Sequence, residues 1–535
     1  MNPWQGYPIP ATRVEAPQAD RLVRAFARRP PSVHAMLAGA VAARPRHEAL
    51  VCEGRRWSYA ELDAQASRIA AGLAARGVGT GDRVALFISN RPEFVFVLFA
   101  VQRLGAIAVP IGVREARAGL AYMLNQCTAK AIVFDAELAP RVPDTAEVPT
   151  LALRIAVGTA SGAESLADVA TTAGGSVSPS QVDEHAVAVI LYTSGTTGNP
   201  KGAMLTHFNL AHSVLHYQAC MKLSGADRSA LAVPVSHVTG LVAITLAMVN
   251  VGGTVVIVPA FKAPDFVALM ERERISHTLM VPAMYTLCLM TPEFAQRDLK
   301  NWRIGGYGGA PMPVATIDAL GEALPNLVLL NAYGATETTS PVTMMPAGLT
   351  RDHADSVGVA LPCAEIVVMD EQGVEVPRGE TGELWIGGPM VVPGYWDNAA
   401  ATAASFTAGH WHSGDLGSID AQGFVRIFDR KKDMLNRGGF KVYSVEVENV
   451  LMAWPGVVEA AVIGRPCPVL GERVHAFLYA PDLARDDAAV KDHCAARLAD
   501  YKVPETLTWC DAPLPRNANG KVMKRLLRDA AISSG

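Results

Sequence analysis

Residues 191–202 read LYTSGTTGNPKG, with four small hydroxyl residues, three glycines and one lysine in twelve positions. Gly195 and Gly198 let consecutive backbone N–H groups turn toward one oxyanion, because glycine enters the left-handed region without a Cβ clash. Thr193, Ser194, Thr196 and Thr197 add side-chain donors, and Lys201 adds a mobile positive charge. The chemistry suits a phosphate. It is not the G-x-x-x-x-G-K-[ST] loop, because Lys201 lies between Pro200 and Gly202 and Pro200 bars a helix from starting there. Three further residues could complete such a site. Glu337, in YGATE, is a hard oxygen ligand of the kind Mg²⁺ prefers. Asp415, in SGDLG, lies between Gly414 and Gly417 and could accept both hydroxyls of a ribose. Lys521, in ANGKVMKR, carries a point charge on a flexible stem. Taken singly, each is also an ordinary turn or surface residue.

Their conjunction is more specific. TSGTTGNPKG resembles the phosphate loop of the adenylate-forming superfamily, which includes acyl-CoA synthetases, firefly luciferase and the adenylation domains of peptide synthetases. PVSHVTGL, GGAPM, NAYGATETTSP, HWHSGDLG, DRKKDMLNRGGFKVYSVEVE and PRNANGKVMKR follow in the family's order, and the likeness spans about residues 49–528. The resemblance implies an ATP-dependent carboxylic acid–CoA ligase that uses Mg²⁺ and coenzyme A. A carboxylate and Mg-ATP would give acyl-AMP and pyrophosphate; CoA would then take the acyl group and release AMP. The alternative is an adenylating enzyme that loads a carrier-protein thiol.

The same resemblance assigns roles. The loop Thr193–Ser194–Gly195–Thr196–Thr197–Gly198 with Lys201 would hold the β- and γ-phosphates, Thr336 would lie near the α-phosphate, and Glu337 would coordinate the metal. Gly309, Ala310 and Pro311, with Asn331, Ala332, Tyr333 and Gly334, would frame adenine, and Asp415 and Arg430 would bind ribose. Lys521 would bridge the acyl carboxylate and the α-phosphate. Lys432 falls on the hinge position, about which a small domain would rotate to place Gly438 and Gly439 beside the pantetheine arm of CoA. Ser444 replaces the family's usual proline, and as an N-cap it could still start the following helix. Lys524, Arg525 and Arg528 read as surface charges.

By the same likeness the acyl pocket would be lined by His237, Val238, Thr239 and Gly240, by Ile304, Tyr307 and Gly308, and by Thr339, Pro341 and Val342. None offers a fixed cation, so a second carboxylate would lie unpaired in a dry site. The expected acid is therefore a medium- or long-chain aliphatic or an aryl monocarboxylate.

The elements that must position these residues alternate. Ser58-Tyr59-Ala60-Glu61 is a capping box opening a helix whose Leu62, Ala66, Ile69 and Leu73 share a face. RVALFI, AIAVP, KAIVF and AVAVILY read as strands separated by helices, which predicts parallel sheets covered on both faces. From about residue 360 to 396 short strands and Gly/Pro turns suggest a β-rich part, and after DRKKD a compact α+β unit follows. The expected fold is α/β: a large N-terminal domain of two doubly wound α/β subdomains plus a β-barrel-like subdomain (1–429), then a small mobile α+β C-terminal domain (430–535).

The bulk composition is consistent with this. Of the 535 residues, 50% are hydrophobic and 18% charged, with a net charge of −4. That excludes a disordered chain and gives no reason to expect nucleic acid as a partner. The eight cysteines form no C-x-x-C pair and are expected to be buried, reduced thiols in a cytoplasmic setting. MNPWQGYPIPATRVEAPQAD lacks the basic start and apolar core of a secretion signal. Residues 229–261 carry no Asp, Glu, Lys or Arg, but Pro234, Gly240, Gly252 and Gly253 interrupt them, so a buried strand and short helix are expected in place of a membrane span. The family likeness leaves room for a homodimer.

Overall fold

The Ser58–Glu61 capping box forms. In the computed structural model the Ser58 hydroxyl accepts from the Glu61 N–H at 3.3 Å and the Glu61 carboxylate accepts from the Ser58 N–H at 2.7 Å. Two orphan donors of the helix Tyr59–Ala75 are thereby satisfied, and its Leu62, Ala66, Ile69 and Leu73 are buried as their spacing predicts. The structure describes residues 3–18, 21–172, 177–193, 199–516 and 522–533.

The chain divides into two compact units, 1–366 with 385–412 and 422–425, and 367–384 with 413–421 and 426–535. Whereas the sequence suggested a boundary at 429/430, the segment carrying Asp415 goes with the small unit. The reason is local: the Lys431 N–H donates to the Gly414 carbonyl at 2.8 Å and Arg430 pairs with Asp415.

The large unit contains two mainly parallel sheets. One runs, in spatial order, Lys201–Thr206, Val187–Thr193, Ile107–Pro110, Arg83–Phe87, Ala131–Asp135, Leu153–Val157, Glu164–Ser165. Only its first pair is antiparallel. The other has nine strands, with Ser340–Met344, Val328–Ala335, Ile304–Tyr307, His277–Met280, Arg228–Leu231 and Thr254–Ile257 in sequence across it. Tyr307 lies beside Asn331 in parallel register, so GGAPM and NAYGATE leave adjacent strands at their carboxyl ends, where α/β sheets commonly bind ligands. Aliphatic and aromatic side chains from the helices Pro92–Arg103 and His207–Cys220 fill the main core.

The uncharged stretch folds as expected: a strand Arg228–Leu231, a helical segment from Thr239 to Val251 closed by Gly252 at φ +69°, and the buried strand Thr254–Ile257. Among the described residues no helix is long and apolar enough to cross a membrane. The β-rich part expected after residue 360 is a five-stranded sheet that includes Glu365–Met369, Gly382–Gly387, His410–Ile419 and Val425–Arg430.

The small unit has its own five-stranded sheet, Phe440–Val442, Leu435–Arg437, Gly471–Tyr479 and Glu459–Cys467 in order, with Thr506–Cys510 parallel to Gly471–Tyr479. Leu435, Val442, Leu451, Val474 and Val490 form its core. All eight cysteines are unpaired, seven of them buried.

Candidate functional site

In the large unit the two residues that flank the expected phosphate loop, Thr193 and Lys201, are paired. Thr193 faces Lys201 in antiparallel register, and the loop leads into the strand Lys201–Thr206 and not into a helix, as Pro200 requires. Ser194, Gly195, Thr196, Thr197 and Gly198 lie outside the described residues. Glu337 is buried, in a short 3₁₀ turn at the end of the strand Val328–Ala335. Its Oε1 accepts from the Tyr395 hydroxyl at 2.9 Å and from Thr193 Oγ1 at 3.5 Å. Lys201 Nζ stands 5.0 Å from the centroid of the Tyr395 ring. Burial, and then the Glu337 carboxylate, raise the phenol's pKa well above its ordinary value, so it remains a proton donor. A buried, hydrogen-bonded carboxylate in one cluster with an ammonium group fits a magnesium–polyphosphate ligand: the first suits the cation, the second the anion.

Glycines bring the motif strands close enough. A methyl group at Gly308 would lie 2.3 Å from the Ala332 carbonyl oxygen, and one at Gly334 would lie 1.8 Å from that of Ser340. The turn after Glu337 is strained, with Thr339 at φ +51° and Ser340 at φ +92°. Thr338 Oγ1, bonded to the Ala335 N–H at 2.9 Å and the Ser340 carbonyl at 2.7 Å, and a 2.6 Å hydrogen bond between Tyr217 and Ser340 hold it. Thr336 is half-buried beside Glu337. Of the expected adenine frame, Gly309 has φ +79°, Ala310 and Pro311 are exposed and Tyr333 keeps partial exposure. Asn331 is turned inward, its amide donating to the Ser356 carbonyl at 3.2 Å.

The expected acyl pocket is only partly assembled by side chains. His237 is exposed, and its Nδ1 accepts from the Thr239 N–H at 3.3 Å, which leaves the ring proton on Nε2. Val238 is buried, and Gly240 packs so tightly that a Cβ would lie 2.3 Å from the Pro234 carbonyl oxygen. Ile304 and Tyr307, three residues apart on one strand, point to opposite faces: Ile304 joins the main core and Tyr307 a second cluster with Tyr285 and Met312. Pro341 is buried, and Val342 packs with Ile386, Met390 and Trp411. Thr339 is fully buried, and its hydroxyl has no hydrogen-bond partner among the described residues.

In the small unit Asp415 is buried and its Oδ1 lies 2.6 Å from Arg430 Nε. Arg430 also donates to the Ser413 carbonyl at 3.3 Å. Gly438 and Gly439, at φ +61° and +90°, form the exposed two-residue turn between Leu435–Arg437 and Phe440–Val442, a conformation that favours glycine at both positions. Lys432 is exposed, and its carbonyl accepts from Arg528 at 3.3 Å. Lys521 lies outside the described residues.

Two expectations are corrected here. Ser444 does not cap the helix Ser444–Met452: Tyr443 occupies the cap position and makes no side-chain cap bond. Ser444 is fully buried, its N–H and hydroxyl both donating to Asp429 and its hydroxyl accepting from Lys524 Nζ at 2.6 Å. Lys524 is therefore no surface charge; it also pairs with Glu448 at 2.6 Å. Arg528 likewise pairs with Asp433 at 2.6 Å, whereas Arg525 is exposed as expected.

Sequence reading missed Tyr395. Its string, MVVPGYW, reads as a strand and turn. What makes it part of the site is tertiary: Ala203 and Tyr395 form an antiparallel bridge, the Trp396 N–H donates to the Gly202 carbonyl at 2.7 Å, and the Met204 N–H donates to the Gly394 carbonyl at 3.1 Å. The only local signal was a tyrosine next to a glycine in an apolar run.

The geometry can be set beside known proteins. Residues 37–396 match the AMP-binding enzyme family and residues 446–521 match the AMP-binding enzyme C-terminal domain. The chain is 33% identical over 480 residues to the long-chain-fatty-acid–CoA ligase FadD13 of Mycobacterium tuberculosis, covering 89% of this chain and 93% of that one. It is 34% identical over 477 residues to a feruloyl-CoA synthase of Amycolatopsis sp, covering 89% and 94%. Among solved structures it is similar to the o-succinylbenzoate coenzyme A synthetase MenE of Bacillus subtilis in complex with ATP and magnesium ion, with a TM-score of 0.83 and 29% identity over 92% of this chain and 98% of that one. The chain belongs to the AMP-binding, adenylate-forming enzymes and is an AMP-forming acid–thiol ligase of the acyl-CoA ligase kind.

Proposed function

We propose that this protein joins a medium- or long-chain aliphatic or an aryl monocarboxylic acid to coenzyme A by way of an acyl-adenylate. In the first step a carboxylate oxygen bonds to the α-phosphorus of ATP as the bond to pyrophosphate breaks. Both partners are anionic, so the barrier is set by charge and alignment. Lys201 neutralises charge on the β- and γ-phosphates, Thr193 and Thr336 donate to phosphate oxygens, and Glu337 presents its carboxylate to magnesium. Magnesium, when bound, spreads the negative charge that grows on the leaving pyrophosphate. Asp415 and Arg430 bind the ribose, and Lys521 bridges the acyl carboxylate and the α-phosphate.

In the second step the thiol sulfur of CoA attacks the acyl carbon, its proton is lost, and AMP leaves. We place the switch between steps at a rotation about Lys432 that withdraws Lys521 and brings the Gly438–Gly439 turn to the pantetheine arm. His237 sits at the mouth of the acyl pocket. The absence of a fixed cation among Val238, Thr239, Gly240, Ile304, Tyr307, Pro341 and Val342 supports a monocarboxylate, and the eight unpaired thiols support a reducing cytoplasmic setting.

The observation that carries the reading is one cluster in which Thr193 and Tyr395 donate to the buried Glu337 while Lys201 stands against the Tyr395 ring. The test is a reaction with ATP, Mg²⁺, CoA and a panel of fatty and aromatic acids, without carrier protein. The expected product is the acyl-CoA thioester. Pyrophosphate release with no CoA thioester would assign the acyl acceptor to a carrier protein.

A further inference from the structure

Tyr395 is 5% exposed and packs edge-on against Phe406 at 5.8 Å, and an aromatic in such a place is ordinarily core. Three features set it apart. Its hydroxyl spends its proton on a carboxylate, Glu337 Oε1, at 2.9 Å. Its ring face lies 5.0 Å from Lys201 Nζ, within cation–π range. Its backbone is fixed on both sides, by Trp396 N–H to Gly202, Met204 N–H to Gly394, and its own N–H to Thr402 Oγ1 at 3.0 Å. One rigidly held side chain thus touches the anion and the cation on which the phosphate chemistry depends, by two different interactions.

The two interactions do different work. A phenol donating to Oε1 orients the carboxylate before any metal arrives, as outer-shell donors do for metal-binding carboxylates. The ring face holds the ammonium group by a contact weak enough to be exchanged for phosphate oxygens. Phenylalanine would fill the core equally well and keep the second interaction, so the hydroxyl is not explained by packing.

We propose that Tyr395 is a positioning residue that presets the Glu337 carboxylate for magnesium through its hydroxyl and holds Lys201 at the phosphate site through its ring. This rests on the proposed function for the roles of Glu337 and Lys201, and adds a residue through which both act.

The test compares wild type, Tyr395→Phe, Tyr395→Leu and Glu337→Gln in two readouts. The first is thermal stabilisation by ATP in excess Mg²⁺ and by ATP in EDTA, which needs no turnover. Tyr395→Phe is expected to retain the metal-free stabilisation and lose most of the added effect of Mg²⁺; Tyr395→Leu is expected to lose both. The second is the Mg²⁺ dependence of pyrophosphate release, whose midpoint is expected to rise about 10–100-fold in Tyr395→Phe, with the rate restored at high Mg²⁺. In a Glu337→Gln background the Tyr395→Phe change is expected to add nothing. A Mg²⁺ midpoint unchanged in Tyr395→Phe, or an equal further loss in the Glu337→Gln background, would overturn the proposal. If wild type binds Mg-ATP but releases no pyrophosphate with any acid, the proposed function fails, while the stabilisation readout still decides the role of Tyr395.

Discussion

The Ser444 hydroxyl donates to Asp429 Oδ1 at 3.1 Å while accepting from Lys524 Nζ, whose other partner, Glu448, accepts from the Val462 N–H at 2.7 Å. The first helical position at which Ser444 stands tolerates proline sterically. Ser444→Pro should therefore act through lost hydrogen bonds and not through a clash. It removes both donors to a carboxylate that is 3% exposed and already has its pKa raised by burial. Hydrogen bonds to charged groups are worth about 1.5–3 kcal/mol each, so losing both donations is expected to destabilise Ser444→Pro by about 3–6 kcal/mol, and Ser444→Ala, which keeps its N–H donor, by less. Urea unfolding followed by the fluorescence of Trp454 and Trp509 in the small unit measures it. A Ser444→Pro protein as stable as wild type would mean that the network contributes nothing.

The Asp415–Arg430 pair gives a binding prediction. Arg430→Ala removes a guanidinium 2.6 Å from a buried carboxylate. The KM for ATP should rise about 10–100-fold, corresponding to about 1.5–3 kcal/mol for a charge-assisted contact, with a smaller change in the KM for the acid. Steady-state kinetics with each substrate varied in turn separates the two. An increase confined to the acid would detach the pair from the nucleotide.

Lys521 and Lys432 should separate the half-reactions. Lys521→Ala is expected to block acyl-adenylate formation yet spare thioester formation from adenylate supplied ready-made. Lys432→Pro, which stiffens the hinge position, is expected to spare adenylation and slow thioester formation. Pyrophosphate release and single-turnover consumption of synthetic acyl-adenylate read the two steps. Equal loss of both in Lys521→Ala would argue against two domain arrangements.

Stability of the large unit should fall with acid in a definite window. Burial lowers the pKa of His207 and of His212 to about 4. His207 Nδ1 accepts from the Val33 N–H and His212 Nε2 from the Phe26 N–H, each at 3.1 Å, so both rings must stay neutral. Below their unfolded value of about 6.5 the unfolded chain binds more protons than the folded one. Stability that is fully present above pH 6.5 is therefore lost as the pH falls toward about 4, on the order of 3 kcal/mol per histidine. Denaturant midpoints across that range, for wild type and His212→Gln, should converge as the pH falls.

What the sequence made legible was chemistry carried on contiguous strings. TSGTTGNPKG, YGATE and SGDLG could be read as candidates because each carries its donors, glycines and charge on one short contiguous string. The alternation that yields two parallel sheets was legible for the same reason: period and punctuation are local. Tyr395 was not, because its function comes from a bridge to Ala203 across the sheet edge, and nothing in PGYW announces a carboxylate partner. Ser444 was misread because a serine before a helix has two uses, and only the burial of Asp429 and Lys524 beside it decides between capping and a core network. Tyr307 was placed in the pocket by its motif position, whereas the strand's alternation sends its side chain to the opposite face from Ile304.

The central claim is that the hydroxyl of Thr193 and the charges of Lys201 and Glu337 serve displacement of pyrophosphate at the α-phosphorus by an organic acid. The most direct measurement is the nucleotide product. Purified protein given ATP, Mg²⁺, CoA and a broad set of monocarboxylic acids is predicted to yield AMP and pyrophosphate in step with acyl-CoA. ADP and orthophosphate in place of AMP, or no AMP with any acid, would contradict it.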